Sequence, residues 1–387
     1  MAGQVISLIG TWMQGLAQAW LVYRLTGSTV LMGTVGFLTH LPVLLLGPLA
    51  GLVCDRYPRR TVVIAAQSAL LLQATALAYL SLTGQITVGM VMALALALGV
   101  ANAFDIPGRQ SLYIHMVGKD DLPNAIALNS MSFNAARIVG PSIGGFCVAL
   151  FGEGVCFAVN AVSYLAVIGS LLAMRGGEPA RASGTASPFE HLAQGFRYAW
   201  GHRRVRALLV VTAMANVATA PASVLGPVFA DQVFHRGSQG LGFLTGALGL
   251  GAVAGTFVLA RQGRPDLLPG VVTKSALLAA CALATYALSP SFYLSLAAQA
   301  LGGFSIFRLL AAVNSLVQGS IEDAYRGRIM SLYSMTVVGM LPLGNLAAGA
   351  GGEYFGIRPT VMAGAMLSIG AAAVWIHLQR AGELDRK

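Results

Sequence analysis

Twelve long apolar runs with very little charge constrain this chain more than any other feature. Most of them reach the roughly 20 residues that cross a bilayer core as a helix, and charged or Gly/Pro-rich breaks separate them. Inside a membrane each run must satisfy its own backbone hydrogen bonds, which favours helices. The sequence therefore predicts an all-α polytopic membrane protein with twelve transmembrane helices. The runs lie near residues 5–24, 30–53, 61–82, 87–107, 125–151, 154–174, 207–230, 239–260, 271–289, 291–313, 329–352 and 359–379.

The composition excludes a soluble protein of this length. Of the 387 residues, 56% are hydrophobic and only 10% are charged, whereas about a quarter of the residues in soluble domains are charged. The net charge of +10 does not indicate a nucleic acid partner, because the positive excess lies in short connections on one side of the predicted membrane. We therefore expect the lipid bilayer as a partner and no nucleic acid.

Lys and Arg are distributed unequally between the two sets of connections. The set that contains Asp55 holds most of them, whereas the opposite set has only Arg24, Arg236 and Arg358. Positive residues favour the cytoplasmic side, so both termini are predicted to be cytoplasmic. No basic stretch precedes the first run, which argues against a cleaved signal peptide and leaves open whether the chain begins upstream.

A polar segment divides the twelve runs into two sets of six. Residues 176–186 are small and polar and cannot span a membrane, and an amphipathic helix with a basic flank is predicted after Ser187. A shift of 204 residues superposes Leu128-x-Ser130-Met131 on Leu332-x-Ser334-Met335 and Phe151-Gly152 on Phe355-Gly356, which indicates an internal repeat. We predict a six-helix bundle over 1–174, a cytoplasmic linker with an interfacial helix over 175–206, and a second bundle over 207–387.

The connection after the second run carries an ordered pattern, Gly51-x-x-x-Asp55-Arg56-x-x-Arg59-Arg60. Its arginines alone would serve as topology signals. The whole pattern resembles the loop between helices 2 and 3 of the major facilitator superfamily. The resemblance implies that fold and a charge cluster that gates transport, with Arg109 as the partner of Asp55. The predicted gating cluster comprises Gly51, Asp55, Arg56, Arg59, Arg60 and Arg109.

The fifth run contains Gly140-Pro141-Ser142-Ile143-Gly144-Gly145. Proline removes a backbone donor, and the glycines permit both a kink and close contact with a neighbouring helix. With Gly140, Pro141, Gly144 and Gly145 in place, the pattern resembles the motif of drug-exporting antiporters of this superfamily. Stretches such as 104–110 and 124–130 are similar to the branch that contains the enterobactin exporter and macrolide efflux proteins.

The resemblance implies a secondary active transporter that exports a small amphipathic organic compound, a drug or a siderophore, across a bacterial inner membrane. It further implies alternating access, protons as the coupling ion and a monomeric protein. Two alternatives stay open. One is a non-transporting membrane sensor or assembly factor on the same scaffold, which the intact charge cluster disfavours. The other is an uptake transporter, which the motif in the fifth run disfavours.

Polar side chains at membrane depth are costly and mark functional positions by default. Asp105 and Arg109 lie four residues apart on one helical face, so Asp105 has either a proton-coupling role or a purely structural ion pair. Glu153, Asp231 and Glu353, near the opposite helix ends, are alternative acidic candidates. The candidate cavity and coupling residues are Gln14, Gln18, His40, Asn102, Asp105, Asn134, Arg137, Asn216 and Arg308.

The sequence has no pattern typical of an enzyme. It contains no nucleotide-binding loop, no spacing of metal ligands and no arrangement that indicates a nucleophilic triad. The four cysteines lie in or beside apolar runs without a Cys-x-x-Cys spacing and are interpreted as small packing residues. We therefore expect no catalytic residue, no metal and no cofactor.

Overall fold

The structure, a computed structural model, describes residues 2–116, 122–173, 188–262, 264–322 and 325–380. Twelve helices in these ranges are long and apolar enough to cross a membrane, which confirms the predicted all-α membrane fold. The first half consists of α1 (Ala2–Thr26), α2 (Thr29–Arg56), α3 (Arg59–Leu82), α4 (Val88–Met116), α5 (Leu122–Phe151) and α6 (Glu153–Ala173).

The second half begins with the linker helix α7 (Pro188–Gly201) and a composite span. That span consists of α8 (Arg203–Val224), the short α9 (Gly226–Val228) and a π-helical turn over Phe229–Val233. It is interrupted at Leu225, where Pro227 follows within two residues and cannot donate a backbone hydrogen bond. The remaining helices are α10 (Gly237–Gln262), α11 (Leu268–Leu288), α12 (Phe292–Gly319), α13 (Arg326–Phe355) and α14 (Ile357–Arg380).

Two features of the helices differ from or extend the sequence-based expectation. Helix α4 continues to Met116 instead of ending near residue 107, although it contains Pro107. The charges of Asp105 and Arg109 compensate each other on one face of the helix as it continues past Pro107. The repeat also holds at the helix starts, because α4, α5 and α6 begin 204 residues before α12, α13 and α14.

The first compact unit comprises Met1–Thr185 together with His235–Gly246. Within it α1 packs against α5 and α6, and α3 packs against α4 and α6. Small and aliphatic residues fill these contacts, with Leu21, Leu70, Leu77 and Phe157 almost completely buried. The start of α10 belongs to this unit because it packs against α5.

The second compact unit comprises Ala186–Phe234 and Ala247–Lys387. Helix α8 packs against α13 and α14, and α11 packs against α12 and α14. The largest buried side chain is Trp375, whose Nε1 donates a hydrogen bond of 3.0 Å to the carbonyl oxygen of Pro269. This bond satisfies the indole in an apolar core and fixes α14 against α11.

Candidate transport site

Helix α4 holds a carboxylate whose two oxygens are both engaged. Asp105 is 4% exposed, and its Oδ1 accepts a hydrogen bond of 2.7 Å from Nε2 of Gln67 on α3. Its Oδ2 pairs with the guanidinium of Arg109, one helical turn further along α4. A buried carboxylate is tolerated only when it is paired and hydrogen-bonded, and these two partners meet that need. The structure therefore contains the ion pair between Asp105 and Arg109, one of the two roles that the sequence left open for Asp105.

Gln14 belongs to a network of buried amides between α1, α3 and α6. Its Nε2 donates to Oε1 of Gln73 at 3.0 Å, and its Oε1 accepts from Nδ2 of Asn160 at 2.7 Å. Gln73 in turn donates to the carbonyl oxygen of Leu94 on α4 at 3.3 Å. These hydrogen bonds satisfy amide groups that the hydrocarbon core of a membrane cannot satisfy. They also connect the four helices α1, α3, α4 and α6. The amide of Gln14 is engaged inside the first unit, and Gln18 on the same helix is 5% exposed.

The second half replaces this network with small side chains. The positions equivalent to Gln14 and Asn160 under the 204-residue shift are Ala218 and Gly364. A Cβ at Gly364 would collide with the carbonyl oxygen of Ala218, so α14 approaches α8 as closely as the backbone permits. Equivalent helices are therefore held by hydrogen bonds in one half and by backbone contact in the other.

The glycines of the motif in α5 are points of close approach to other helices. A Cβ at Gly140 would lie 2.6 Å from Cβ of Trp12, and one at Gly144 would lie 3.1 Å from Cα of Met13, both on α1. A Cβ at Gly145 would lie 2.6 Å from the carbonyl oxygen of Ser238 at the start of α10. The hydroxyl of Ser238 donates a hydrogen bond of 3.1 Å to the carbonyl oxygen of Gly145. The motif thus forms two packing surfaces on one helix.

Comparison with known families shows which family of proteins this chain belongs to. The family model described as "Transmembrane secretion effector" matches residues 1–386. The chain belongs to this family of the major facilitator superfamily. The match covers both halves, so the resemblance inferred from the two motifs is confirmed, and the protein is a transporter, not an enzyme.

Curated relatives of this transporter are named for efflux, transport or export. The multidrug efflux pump Tap of Mycolicibacterium fortuitum is 27% identical, with 96% of this chain and 92% of the relative covered. The Staphyloferrin A transporter of Staphylococcus aureus is 23% identical, covering 91% and 88%. The enterobactin exporter EntS of Escherichia coli is 26% identical, covering 89% and 83%.

Solved structures agree with the fold. A bacterial homologue of the human lysosomal transporter Spinster superposes with a TM-score of 0.77 at 15% identity, covering 100% of this chain and 97% of that chain. The nucleoside transporter NupG superposes with a TM-score of 0.71 at 14% identity, covering 98% and 99%. At these identities the likeness establishes the twelve-helix architecture of the transporter and carries no information on its substrate.

The candidates Asn134 and Arg137 form a polar stripe with Ser130 on α5 of the transporter. Nη2 of Arg137 donates to Oδ1 of Asn134 at 2.8 Å, and Nδ2 of Asn134 donates to the carbonyl oxygen of Ser130 at 2.8 Å. Arg137 is only 4% exposed, so its guanidinium lies deep in the helix bundle. On α2, Nδ1 of half-buried His40 is bound to the carbonyl oxygen of Gly36 at 2.9 Å, and Asn102 on α4 is half-buried.

Two candidate residues of the second unit have partners on or near their own helices. Nδ2 of buried Asn216 donates to the carbonyl oxygen of Thr212 at 2.9 Å. Nη2 of Arg308 on α12 donates to Oε1 of Gln262 at the end of α10 at 3.1 Å, and its guanidinium lies 5.6 Å from the ring of Phe304. Its buried Nε has no hydrogen-bond partner among the described residues. Arg308 therefore retains a donor that a ligand could use.

The structure accounts for part of the predicted gating cluster. Nη2 of Arg60 donates to the carbonyl oxygen of Leu172 at 3.0 Å, which ties the start of α3 to the end of α6. Arg56 is exposed, and Arg59 is half-buried. The side chain of Asp55 lies outside the described residues, so its pairing with Arg109 stays a prediction. Among the described residues, no atom lies within 4 Å of a Cβ built at Gly51.

Sequence reasoning missed the partners that hold these groups in place. Gln67 and Gln73 were the visible signal, because they are buried amides in a helix that is otherwise almost entirely apolar. The ion pair between Arg24 at the end of α1 and Glu153 at the start of α6 was also missed. Its Nε–Oε1 distance is 2.7 Å and its Nη2–Oε2 distance is 3.3 Å. The sequence indicates Arg24 and Glu153 separately, as charged residues near helix ends, and not as a pair.

Proposed function

We propose that this transporter exports a small amphipathic organic compound, a drug or a siderophore, across a bacterial inner membrane in exchange for protons. The family model describes a secretion effector, and relatives over most of the chain are named as exporters or efflux proteins. Alternating access is proposed as its mechanism, on the basis of the superfamily fold. The orientation with both termini in the cytoplasm and a monomeric state belong to the same proposal.

The observation that carries the proton step is the arrangement around Asp105. Asp105 and Glu153 are the buried carboxylates among the described residues. Glu153 is paired with Arg24, which is half exposed, whereas Asp105 is enclosed by Gln67 and Arg109. A proton on Oδ2 of Asp105 would neutralise the carboxylate and remove its attraction for Arg109. Arg109 would then be released to contact another acceptor, which would couple proton uptake to helix movement.

The substrate is proposed to contact the polar groups on helices that surround the cavity in this superfamily. Of the candidates, Asn134 and Arg137 form a continuous stripe on α5, and Arg308 offers a buried donor on α12. A buried guanidinium such as that of Arg137 suits an organic compound with carboxylate or phenolate oxygens. Gln18, His40, Asn102 and Asn216 remain proposed contacts, whereas Gln14 is proposed to act through the amide network.

Transport into proteoliposomes with an imposed pH gradient tests the proposal, with one siderophore and one macrolide as probes. We expect gradient-driven movement of at least one probe in the direction opposite to the proton flow. The Asp105→Asn variant should lose at least about tenfold in rate, because the amide cannot take up the proton. The matched variant Glu153→Gln should keep most of the rate.

The outcomes separate the alternatives. Gradient-driven movement of a probe together with protons would favour uptake over export. No gradient-driven movement of either probe, or equal rates for Asp105→Asn and wild type, would contradict the proton-coupling role of Asp105. Binding of a probe without any transport would favour the sensor alternative.

A further inference from the structure

A groove opens between α13 and α14 in the second unit. One wall runs from Gly344 to Phe355 on α13, the other runs from Pro359 to Leu367 on α14, and α8 forms the floor. Its volume is about 380 Å³, within the range of small-molecule sites. Phe355 is 77% exposed, and Pro359 and Ala363 are also exposed, so the groove opens on the surface of the molecule.

The groove results from the placement of small residues. A Cβ at Gly344 would lie 2.9 Å from Cβ of Ala220, and one at Gly364 would collide with the carbonyl oxygen of Ala218. These two glycines therefore bring α13 and α14 close to α8. Ala347 and Ala363 lie on the facing walls and are too short to fill the space between them.

The internal repeat has larger side chains at the equivalent positions of the first half. The positions equivalent to Ala347 and Ala363 under the 204-residue shift are Ile143 and Val159 in the first half. The second half therefore has smaller side chains at the two positions that face each other across the groove. Because the groove opens on the surface of a membrane-spanning unit, the apolar space beside these small side chains is accessible to the acyl chains of the bilayer.

The dimensions and chemistry of the groove match a lipid chain. From Phe355 to Gly344 the wall is about 16 Å long at the rise of an α-helix, roughly half of a bilayer core. The one polar residue of the lining is Thr360, whose hydroxyl already donates to the carbonyl oxygen of Gly356 at 2.7 Å. The groove therefore offers apolar contact over the thickness of one leaflet and no hydrogen bond.

The first turn of α14, beside the groove, carries a cation. Arg358 is exposed and directly precedes Pro359 on the wall. Counting spans from the hairpin at Asp55 places this end at the opposite membrane surface, where the sequence otherwise has only Arg24 and Arg236. A guanidinium at this level suits a phosphate, and exposed Tyr354 beside it suits the interface.

We propose that the groove between α13 and α14 binds one phospholipid of the leaflet opposite the Asp55 hairpin. An acyl chain lies along Ala347 and Ala363, and the phosphate contacts Arg358. The site requires neither the export direction nor the proton step proposed above.

Native mass spectrometry of the purified full-length protein tests the site, with phosphatidylglycerol titrated into detergent micelles. The double variant Ala347→Ile/Ala363→Val restores the residues of the first half and should weaken the tightest lipid binding by about tenfold, through lost acyl contact. Arg358→Gln should weaken it by about fivefold. For diacylglycerol with the same chains, which lacks the phosphate, Arg358→Gln should have no effect.

Matched controls keep the test decisive. Ala149→Ile/Ala373→Val makes the same changes at exposed positions outside the groove, and Arg236→Gln removes another cation of the same membrane side. Both should bind lipid as the wild type does. Equal affinity in the groove-filling variant and the wild type, or an equal loss in the control, would overturn the site. An unchanged affinity of Arg358→Gln for phosphatidylglycerol would overturn the phosphate contact.

Discussion

Gln67 on α3 donates one of the two contacts that Asp105 receives on α4. Replacing it with leucine would leave a buried carboxylate oxygen without its donor. We expect Gln67→Leu to destabilise the protein by about 1.5–3 kcal/mol, the usual worth of a hydrogen bond to a charged group. Thermal unfolding of the purified protein in detergent measures this, as a lower midpoint than that of the wild type.

The control for this prediction is Gln110→Leu, which makes the same change at an exposed position of α4. It should leave the midpoint nearly unchanged. In an Asp105→Leu background Gln67→Leu should cost much less, because the charge that needed the amide has gone. An equal cost in both backgrounds would show that Gln67 acts through packing alone.

At the level of elements, α5 depends on glycine where it crosses α1. A methyl group at Gly140 would lie 2.6 Å from Cβ of Trp12 and 2.9 Å from the carbonyl oxygen of Ile9. We therefore expect Gly140→Ala to separate the two helices slightly and to cost about 1–3 kcal/mol, as overpacking does. Thermal unfolding and transport rate should both fall.

Gly47→Ala provides the comparison for Gly140→Ala. No described atom lies within 4 Å of a Cβ at Gly47, so the added methyl group should be tolerated. Gly47 and Gly51 form a Gly-x-x-x-Gly pattern that favours close helix packing, yet the tight contacts occur at their repeat partners Gly251 and Gly255 on α10. If Gly47→Ala proved as harmful as Gly140→Ala, the close contact with α1 would not explain the loss at Gly140, since alanine is the better helix former at both positions.

The linker helix α7 has two unlike faces. Tyr198 stacks on Tyr325 with ring centroids 4.4 Å apart, which attaches the helix to the start of α13. Phe196 and Trp200 stack on each other at 5.6 Å, are more than half exposed, and have Arg206 beside them. Exposed aromatic rings next to arginine are typical of a helix that lies in a membrane interface.

A spin label at Phe196→Cys, in a background without the four native cysteines, measures this position directly. We expect contact with both oxygen and a water-soluble nickel reagent, as at the level of lipid headgroups. A label at Ala199, which is buried in the second unit, should be protected from the nickel reagent. Full access of the label at 196 to nickel, without lipid exposure, would refute the interfacial position.

On the scale of the whole molecule, the predicted gating role of Asp55 distinguishes its hairpin from the equivalent one in the second half, which has Leu259 in place of Asp55 under the 204-residue shift. Asp55→Asn should lower the rate of transport while leaving membrane insertion intact. Asp266→Asn should affect neither, because Asp266 forms an exposed ion pair with Arg264 at 3.0 Å. Transport assays and membrane fractionation read out the two effects. Loss of insertion in Asp55→Asn would favour a pure topology role.

The fold of the whole molecule was predictable because a membrane leaves few choices. Runs of this length and apolarity have to form spanning helices, so their number followed from the sequence. Contacts between helices were less predictable. Nothing in helix α1 alone indicates that Gln14 meets Gln73 and Asn160, since these residues are 59 and 146 positions away. Likewise, Gln67 resembles any other polar residue until α4 places Asp105 beside it.

The replacement of Gln14 and Asn160 by Ala218 and Gly364 has a consequence for mobility. Hydrogen bonds between amides are directional, so α1 and α6 can rotate against each other only by breaking a bond. The contact between α8 and α14 at Ala218 and Gly364 has no such directional bond between side chains. We therefore expect rotation at this contact of the second half to cost less than rotation at the equivalent contact of the first half.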